Sequence, residues 1–205
     1  TNFVILIPGS VNECFEFGQT SFDLAERLQT LVFVMTDLDL GMNFWAEKEF
    51  AYPSKDFDRG KILTAEELEK ITNYERYGDP DQDGIPYRVL PGTRSPLAAN
   101  LTRGSGHNSK AQYTEKSSEY KEVADRLKRK YETAKQYVPA PIIEQNGSKI
   151  GVIAYGSADG AMKEARYMLE QSGIKTDYLR IRALPFTQEV EAFIKSHEKI
   201  YVVDL

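Results

Sequence analysis

The chain has 205 residues, 41% hydrophobic and 28% charged, a balance that excludes wholesale disorder and allows one or two packed cores. Its formal net charge of −5 argues against a general polyanion binder, so no nucleic-acid partner is expected. The single cysteine, Cys14, excludes an internal disulfide or a metal cluster built from this chain's thiolates.

The elements follow in chain order. Residues 3–7, FVILI, are a continuous apolar run of buried-strand type. Pro8, Gly9 and Ser10 turn the chain, and a helix is predicted to about residue 29, with Cys14, Phe17, Ser21, Leu24, Ala25 and Leu28 at helical spacing. Residues 31–35 make a second strand that ends in Thr36 and Asp37. This order predicts a parallel pair with a right-handed crossover. One such unit cannot cover both faces of a sheet and needs neighbours that this chain is expected to lack.

Residues 43–60 are mixed and aromatic, and residues 64–74 read as a short helix because Thr64 and Glu67 form a capping box. Residues 77–108 hold two clusters of turn formers and no helical period. Loops longer than about 12–15 residues are usually functional or disordered. Ile85, Tyr87, Val89, Leu90, Leu97 and Leu101 supply apolar anchors, so a folded arm is expected.

A long helix is predicted over about 118–137, with Tyr120, Val123, Ala124, Leu127, Tyr131 and Ala134 as its apolar stripe, ended by VPAP at 138–141. Asn146-Gly147 is a turn and a domain boundary in this reading. Beyond it come a strand at 150–155, a helix at 158–171, a strand at 177–181, a helix at 187–196 and a strand at 199–204. That alternation predicts a parallel sheet with helices on its faces. Ala158, Ala161, Met162, Ala165, Met168 and Leu169 are the expected inner face of the first of these helices, and Gly173 its C-cap. No apolar run reaches the roughly 20 residues of a membrane helix, and no secretory signal is visible, which fits a cytoplasmic protein. Thr1 in place of an initiator Met, and a final strand with nothing after it, suggest a piece of a longer subunit.

Several motifs carry possible chemistry. DPDQDG at 79–84 opens like a calcium loop, but Leu90 stands where a bidentate Glu is needed, so an Asp-rich turn is the better reading. Gly78-Asp79 with Asn108 lacks the preceding buried strand of a Mg²⁺–diphosphate motif. GSADGA at 156–161 follows a strand and opens a helix, where peptide N–H groups can hold an anion; it also fits an ordinary turn with Ser157 as N-cap. Asp37 and Asp39 lie past a strand end, where α/β sheets place ligands, but such residues more often bond local backbone. Arg126, Lys128, Arg129 and Lys130 form a basic cluster expected on a solvated helix face. Cys14 reads as a small buried hydrophobe and His197 as a favourable charge at a helix C-terminus.

The richest string is Arg103-Gly104-Ser105-Gly106-His107-Asn108. Its glycines permit positive φ and close approach to a ligand, Arg offers a fork for carboxylate or phosphate, and His can share a proton near neutrality. The same residues also fit a turn whose side chains satisfy the arm's own backbone.

LPG at 90–92 followed by TRGSGHN at 102–108, with DLDLGMNFW at 37–45 and RLKRKYETA at 126–134, resembles the alpha subunit of thiamine-diphosphate-dependent 2-oxoacid:ferredoxin oxidoreductases, the 2-oxoglutarate type above all. The resemblance implies an α/β fold in three parts: residues 1–45 as the tail of a pyrimidine-type thiamine-enzyme domain, 46–147 as a linker arm and long helix, and 148–205 as a truncated transketolase C-terminal-like parallel-sheet domain. It implies oxidative decarboxylation of a 2-oxoacid to an acyl-CoA with reduction of ferredoxin, within a hetero-oligomer containing a beta subunit. Thiamine diphosphate, Mg²⁺ and an iron–sulfur cluster would serve the parent complex, with none bound by this stretch alone and no catalytic residue in it. Arg103, Gly104, Ser105, Gly106, His107 and Asn108 are the candidates for binding substrate or CoA. The competing reading is a non-catalytic α/β binding or scaffold module, which should lack the large apolar surface of an obligate partner.

Overall fold

The computed structural model describes residues 3–99, 104 and 106–204. In chain order the elements are β1 (Val4–Leu6), α1 (Val11–Leu28), β2 (Val32–Val34), α2 (Leu38–Met42), α3 (Ala65–Glu69), a 3-10 turn (Pro96–Ala98), α4 (Ser117–Ala134), β3 (Ile142–Glu144), β4 (Ile150–Tyr155), α5 (Ala158–Gln171), β5 (Asp177–Ile181), β6 (Ala183–Leu184), α6 (Gln188–Ser196) and β7 (Lys199–Val203). They fall into two compact units. One comprises Glu26–Gln29 and Asp58–Ala134, and the other Phe3–Ala25, Thr30–Phe57 and the residues from Lys135 on.

The larger unit contains two sheets. In the first, β1 pairs parallel with β2, as the strand–helix–strand order requires, and antiparallel with β6. Contrary to the expectation that its neighbours would be missing, the pair gains one from this chain, through a two-residue strand too short to read in the sequence. The second sheet has the order β3-β5-β4-β7, with β4 parallel to both β5 and β7. Both faces of this sheet's central strands are covered by helices, and β4 is apolar on each. Val152 and Ala154 pack with Ala158 and Met162 of α5, while Ile153 and Leu179 pack with Val190 and Phe193 of α6. Burying each of the larger of these side chains, the Val, Ile, Leu, Met and Phe, is worth about 1.5–3 kcal/mol. β3 has no counterpart among the expected strands; it pairs antiparallel with β5, so this sheet begins before the Asn146-Gly147 turn.

The inner face of α5 is narrower than its apolar residues suggest. Ala158 and Met162 are buried, whereas Ala161, Ala165 and Met168 are exposed, with Met168 61% open. Arg166 lies on the inner side instead, bonded to Glu144 (2.5 Å) and to the Thr176 carbonyl (3.3 Å).

In the other unit the arm is folded around α3 and α4. The capping box of α3 is formed, with Thr64 Oγ1 accepting from the Glu67 N–H and Glu67 accepting from the Thr64 N–H. Leu63, Leu68, Ile85, Ala111, Val123 and Ala134 are buried. Arg88 pairs with Glu26, Arg27 with Asp58, and Gln29 Nε2 donates to the Pro86 carbonyl (2.5 Å). The helix α4 is turned away from its expected stripe: Tyr120, Ala124 and Leu127 are exposed, while Arg126 is buried. The reason is close backbone packing. A Cβ on Gly84 would meet the Lys130 nitrogen at 2.2 Å, and Arg126 Nη1 donates to the Gly84 carbonyl at 2.8 Å.

Candidate functional site

Of the six residues in the Arg103–Asn108 string, Arg103 and Ser105 lie outside the described residues. Gly104 and Gly106 do take positive φ, 67° and 82°. Asn108 is a turn residue: its Oδ1 accepts from the Lys110 and Gln112 N–H groups (3.0 and 3.1 Å) and its Nδ2 donates to Glu119 (3.2 Å). The turn closes through a bridge between His107 and Tyr113. His107 stacks on Tyr77 with centroids 4.1 Å apart. Asn108 is thus spent on local backbone, and among the described members of the string the His107 ring is the one set against another part of the arm.

Two guanidinium groups converge on that same Tyr77 ring, Arg76 at 4.7 Å and Arg126 at 5.8 Å from its centroid. The expected solvated face of α4 is therefore partly an inward one. Arg126 is 5% exposed, and Lys130 Nζ reaches the Gln29 carbonyl (2.9 Å). Burial, then repulsion from Arg126 and Arg76, pulls Lys130 down to about 8.

The Asp-rich loop is filled by a lysine. Lys61 Nζ lies 2.6 Å from Asp81, 2.7 Å from Asp83 and 3.1 Å from the Ile85 carbonyl. Desolvation works against this ammonium, but the two carboxylates outweigh it and hold its pKa above the ordinary value. Asp79 is taken by Arg129 (2.8 Å) and the Gly84 N–H (2.8 Å). No group of three or more His, Cys, Asp or Glu side chains among the described residues could hold a metal ion.

In the larger unit, the N-terminus of α5 is occupied by the chain's own carboxylate. Asp37 Oδ2 accepts from the Ser157 N–H (2.7 Å), and Asp37 Oδ1 accepts from the Leu40 N–H (2.9 Å), capping α2. Ser157 sits at the N-cap position, yet its hydroxyl makes no capping bond. Gly156, with φ of 61°, lets the carboxylate approach; a Cβ there would be 2.6 Å from Asp37 Oδ2. Burial opposes the charged form of Asp37, but these N–H bonds prevail and lower its pKa. The anion position opened by GSADGA is therefore filled from within.

Close by lies an ionic core that the sequence could not announce. Glu13 on α1 receives both Arg180 terminal nitrogens (2.8 and 2.7 Å), Arg182 Nε (2.9 Å) and the Gly9 N–H (2.8 Å). Burial raises the Glu13 pKa, but these partners overcome it and leave the pKa below the ordinary value. His197 is also more than a terminal charge: its ring is buried, with Nδ1 2.6 Å from the Phe193 carbonyl and Nε2 3.2 Å from Asp177.

The exposed apolar side chains concentrate on the open strand β2 and its flanks, through α2: Leu31, Phe33, Met35, Leu38, Met42 and Phe44. A run of this kind marks an interaction surface more often than plain solvent-facing protein. No helix among the described residues is long and apolar enough to cross a membrane.

No family model matches the chain. Among curated proteins it is 25% identical over 209 residues to 2-oxoacid:ferredoxin oxidoreductase 2, subunit alpha, of Aeropyrum pernix, covering 98% of this chain and 31% of that protein. It is 28% identical over 210 residues to 2-oxoglutarate synthase subunit KorA of Methanothermobacter thermautotrophicus, covering 98% of this chain and 52% of that protein. A 2-oxoglutarate:ferredoxin oxidoreductase from Magnetococcus marinus, solved with 2-oxoglutarate, coenzyme A and succinyl-CoA bound, superposes with a TM-score of 0.78 at 20% identity, over 99% of this chain and 35% of that one. The chain thus spans between 29% and 52% of the length of the curated relatives it matches. That superposition speaks to fold, a mixed α/β architecture with parallel-containing sheets. Along nearly its whole length the chain is similar to the alpha subunits of 2-oxoacid:ferredoxin oxidoreductases, the 2-oxoglutarate type included.

Proposed function

We propose that this chain is part of the alpha subunit of a 2-oxoglutarate-type 2-oxoacid:ferredoxin oxidoreductase, a cytoplasmic enzyme that oxidatively decarboxylates a 2-oxoacid to an acyl-CoA and reduces ferredoxin. The observation that carries this reading is similarity to two 2-oxoacid:ferredoxin oxidoreductase alpha subunits over 98% and 91% of the chain and to a 2-oxoglutarate synthase subunit over 98% of it. The apolar surface around Phe33 and Met42 supports it as well, since an obligate beta subunit would cover such a surface. A non-catalytic scaffold module has no comparable support. In this reading residues 1–45 end a pyrimidine-type domain, 46–147 form a linker arm and long helix whose last strand, β3, joins the following sheet, and 148–205 belong to a transketolase C-terminal-like domain.

Thiamine diphosphate supplies the chemistry of decarboxylation in the parent enzyme, with Mg²⁺ to hold it and an iron–sulfur cluster to carry electrons. The described residues do not fit those groups. Their carboxylate clusters are answered by Lys61, Arg129 and peptide N–H groups, and Cys14 is the chain's single thiol. No chemical step is therefore assigned to these residues. The part proposed for them is to bind: the loop of Arg103, Gly104, Ser105, Gly106, His107 and Asn108 holds an anionic group of CoA or of the 2-oxoacid.

The test is the full-length subunit co-expressed with its beta partner, assayed for ferredoxin reduction that requires both CoA and a 2-oxoacid. An assembled, cofactor-loaded complex with no such turnover overturns the function. Arg103→Ala is expected to raise the KM for one anionic substrate about ten- to a hundredfold, the worth of a charge-assisted hydrogen bond. Normal kinetics toward both substrates in that variant would leave the loop a structural turn.

A further inference from the structure

Among the described residues, the arm unit contains positive charges that no carboxylate pairs with directly. Arg129 has Asp79, and Arg88 has Glu26. By contrast, Arg126 donates one nitrogen to the Gly84 carbonyl and Lys130 donates to the Gln29 carbonyl, and neither pairs with a carboxylate among the described residues. Arg76 is the extreme case. Its Nη1 is buried without a partner, and no carboxylate among the described residues pairs with it. Buried guanidinium nitrogens without an acceptor are costly, and in native proteins such groups usually have a counterpart. Burial is the main cause of the lowered pKa of Lys130, and repulsion from Arg126 and Arg76 adds to it.

Geometry gives the unanswered charge a place to be used. Arg76 lines a cleft of about 500 Å³, together with Val89, Leu90, Pro91, Thr93 and Ala98. Clefts of roughly 300–1,000 Å³ suit small organic ligands. The hydroxyls there are already engaged: Thr93 donates to the Leu90 carbonyl (2.8 Å), and Ser95 caps the following turn by accepting from the Leu97 N–H (3.3 Å). Arg76 is the charged side chain among the residues lining this cleft, whose walls mix apolar side chains with polar backbone and hydroxyl groups. A planar guanidinium in that setting is matched to two oxygens of a carboxylate or a phosphate.

We infer that this cleft binds a small organic anion, its carboxylate or phosphate oxygens on Arg76 and its apolar body against Leu90, Pro91 and Ala98. The site uses none of the residues proposed above for the Arg103–Asn108 loop, so it stands or falls separately from that loop. Arg126 and Lys130 contribute long-range attraction, while Arg76 makes the direct contact.

The experiment follows modification of Arg76 by phenylglyoxal in the full-length protein, read by peptide mass spectrometry with exposed Arg59 as internal reference. Butyrate and inorganic phosphate are the probes, and sodium chloride at equal ionic strength is the control. Selective slowing at Arg76 by butyrate alone identifies a carboxylate ligand, by phosphate alone a phosphate ligand, and by both the shared oxyanion chemistry. Equal rates with and without the probes overturn the inference, as does slowing matched by chloride or shared with Arg59. A second reading is thermal: the effective probe should raise Tm in the wild-type protein. Arg76→Lys should need about tenfold more of it, and Arg76→Gln should lose the response. Unchanged probe responses in a folded Arg76→Gln protein would also sink the site.

Discussion

Asp37 and Ser157, 120 positions apart, meet through a 2.7 Å bond from the Ser157 N–H to Asp37 Oδ2, while the other oxygen of the same carboxylate caps α2. One side chain thus fixes the starts of two helices. The negative charge also complements the positive end of α5.

Asp37→Ala should therefore cost about 1–2 kcal/mol in urea denaturation, and Asp37→Asn less, because an amide oxygen still accepts one bond. The pH dependence has a definite sign. The folded pKa of Asp37 lies below 3.8, so its stabilisation is present above 3.8 and is lost as pH falls through the folded value. Denaturation curves of Asp37→Ala should show less acid destabilisation below about pH 4 than the wild-type protein. Identical acid limbs would refute the double cap.

Glu13→Gln should be far more damaging, by about 3–5 kcal/mol, because it leaves Arg180 and Arg182 without their shared charge in a buried setting. Gly9→Ala should act on the same contact, since its Cβ would fall 1.8 Å from Arg180 Nη1. Replacing both partners, as Glu13→Leu with Arg180→Met, should be milder than Glu13→Leu alone. A chemical-denaturation cycle checks this, and strictly additive losses would show that the pair is not coupled.

Lys130 predicts an alkaline effect. Its folded pKa of about 8 lies below the ordinary 10.5, so between those values the unfolded chain binds the extra proton. Stability from this group should rise with pH across that window, and Lys130→Met should flatten the rise while costing little at neutral pH. An unchanged slope in the variant would place the ammonium in solvent.

Limited trypsin digestion should cut first at Lys48 or Lys55. Residues 43–57 have no regular structure and are exposed, held locally by Phe50 stacked on Phe15 at 4.7 Å. The Asn146-Gly147 turn, although exposed, is tied by Asp177 Oδ1 to the Asn146 and Ser148 N–H groups. Initial cleavage inside α4 or at Lys149 would contradict this order.

The order β4, α5, β5, α6, β7 is legible in the sequence because short, mainly apolar runs are punctuated by Gly156, Gly173 and Thr187. β3 and β6 are not, since two or three residues beside Pro141 and Pro185 carry no period. The orientation of α4 departs from its apolar stripe for a different reason. Periodicity assumes that apolar side chains face inward, whereas Arg126 is drawn in by the Gly84 carbonyl and Tyr120 and Leu127 are left outside. The Asp37 and Glu13 contacts join residues well over a hundred positions apart, and no local pattern encodes such a meeting. In the glycine-rich string, the turn role of Asn108 and the positive φ values are both readable from residue type.

The ammonium of Lys61 between Asp81 and Asp83 alters how the arm responds to its surroundings. A loop organised by a dissociable ion is ordered only at sufficient free concentration and can be stripped by a chelator. Here the cation is covalently attached and its supply is fixed by the chain itself, as for any intramolecular ligand. The loop's order should therefore not depend on calcium and should survive EDTA.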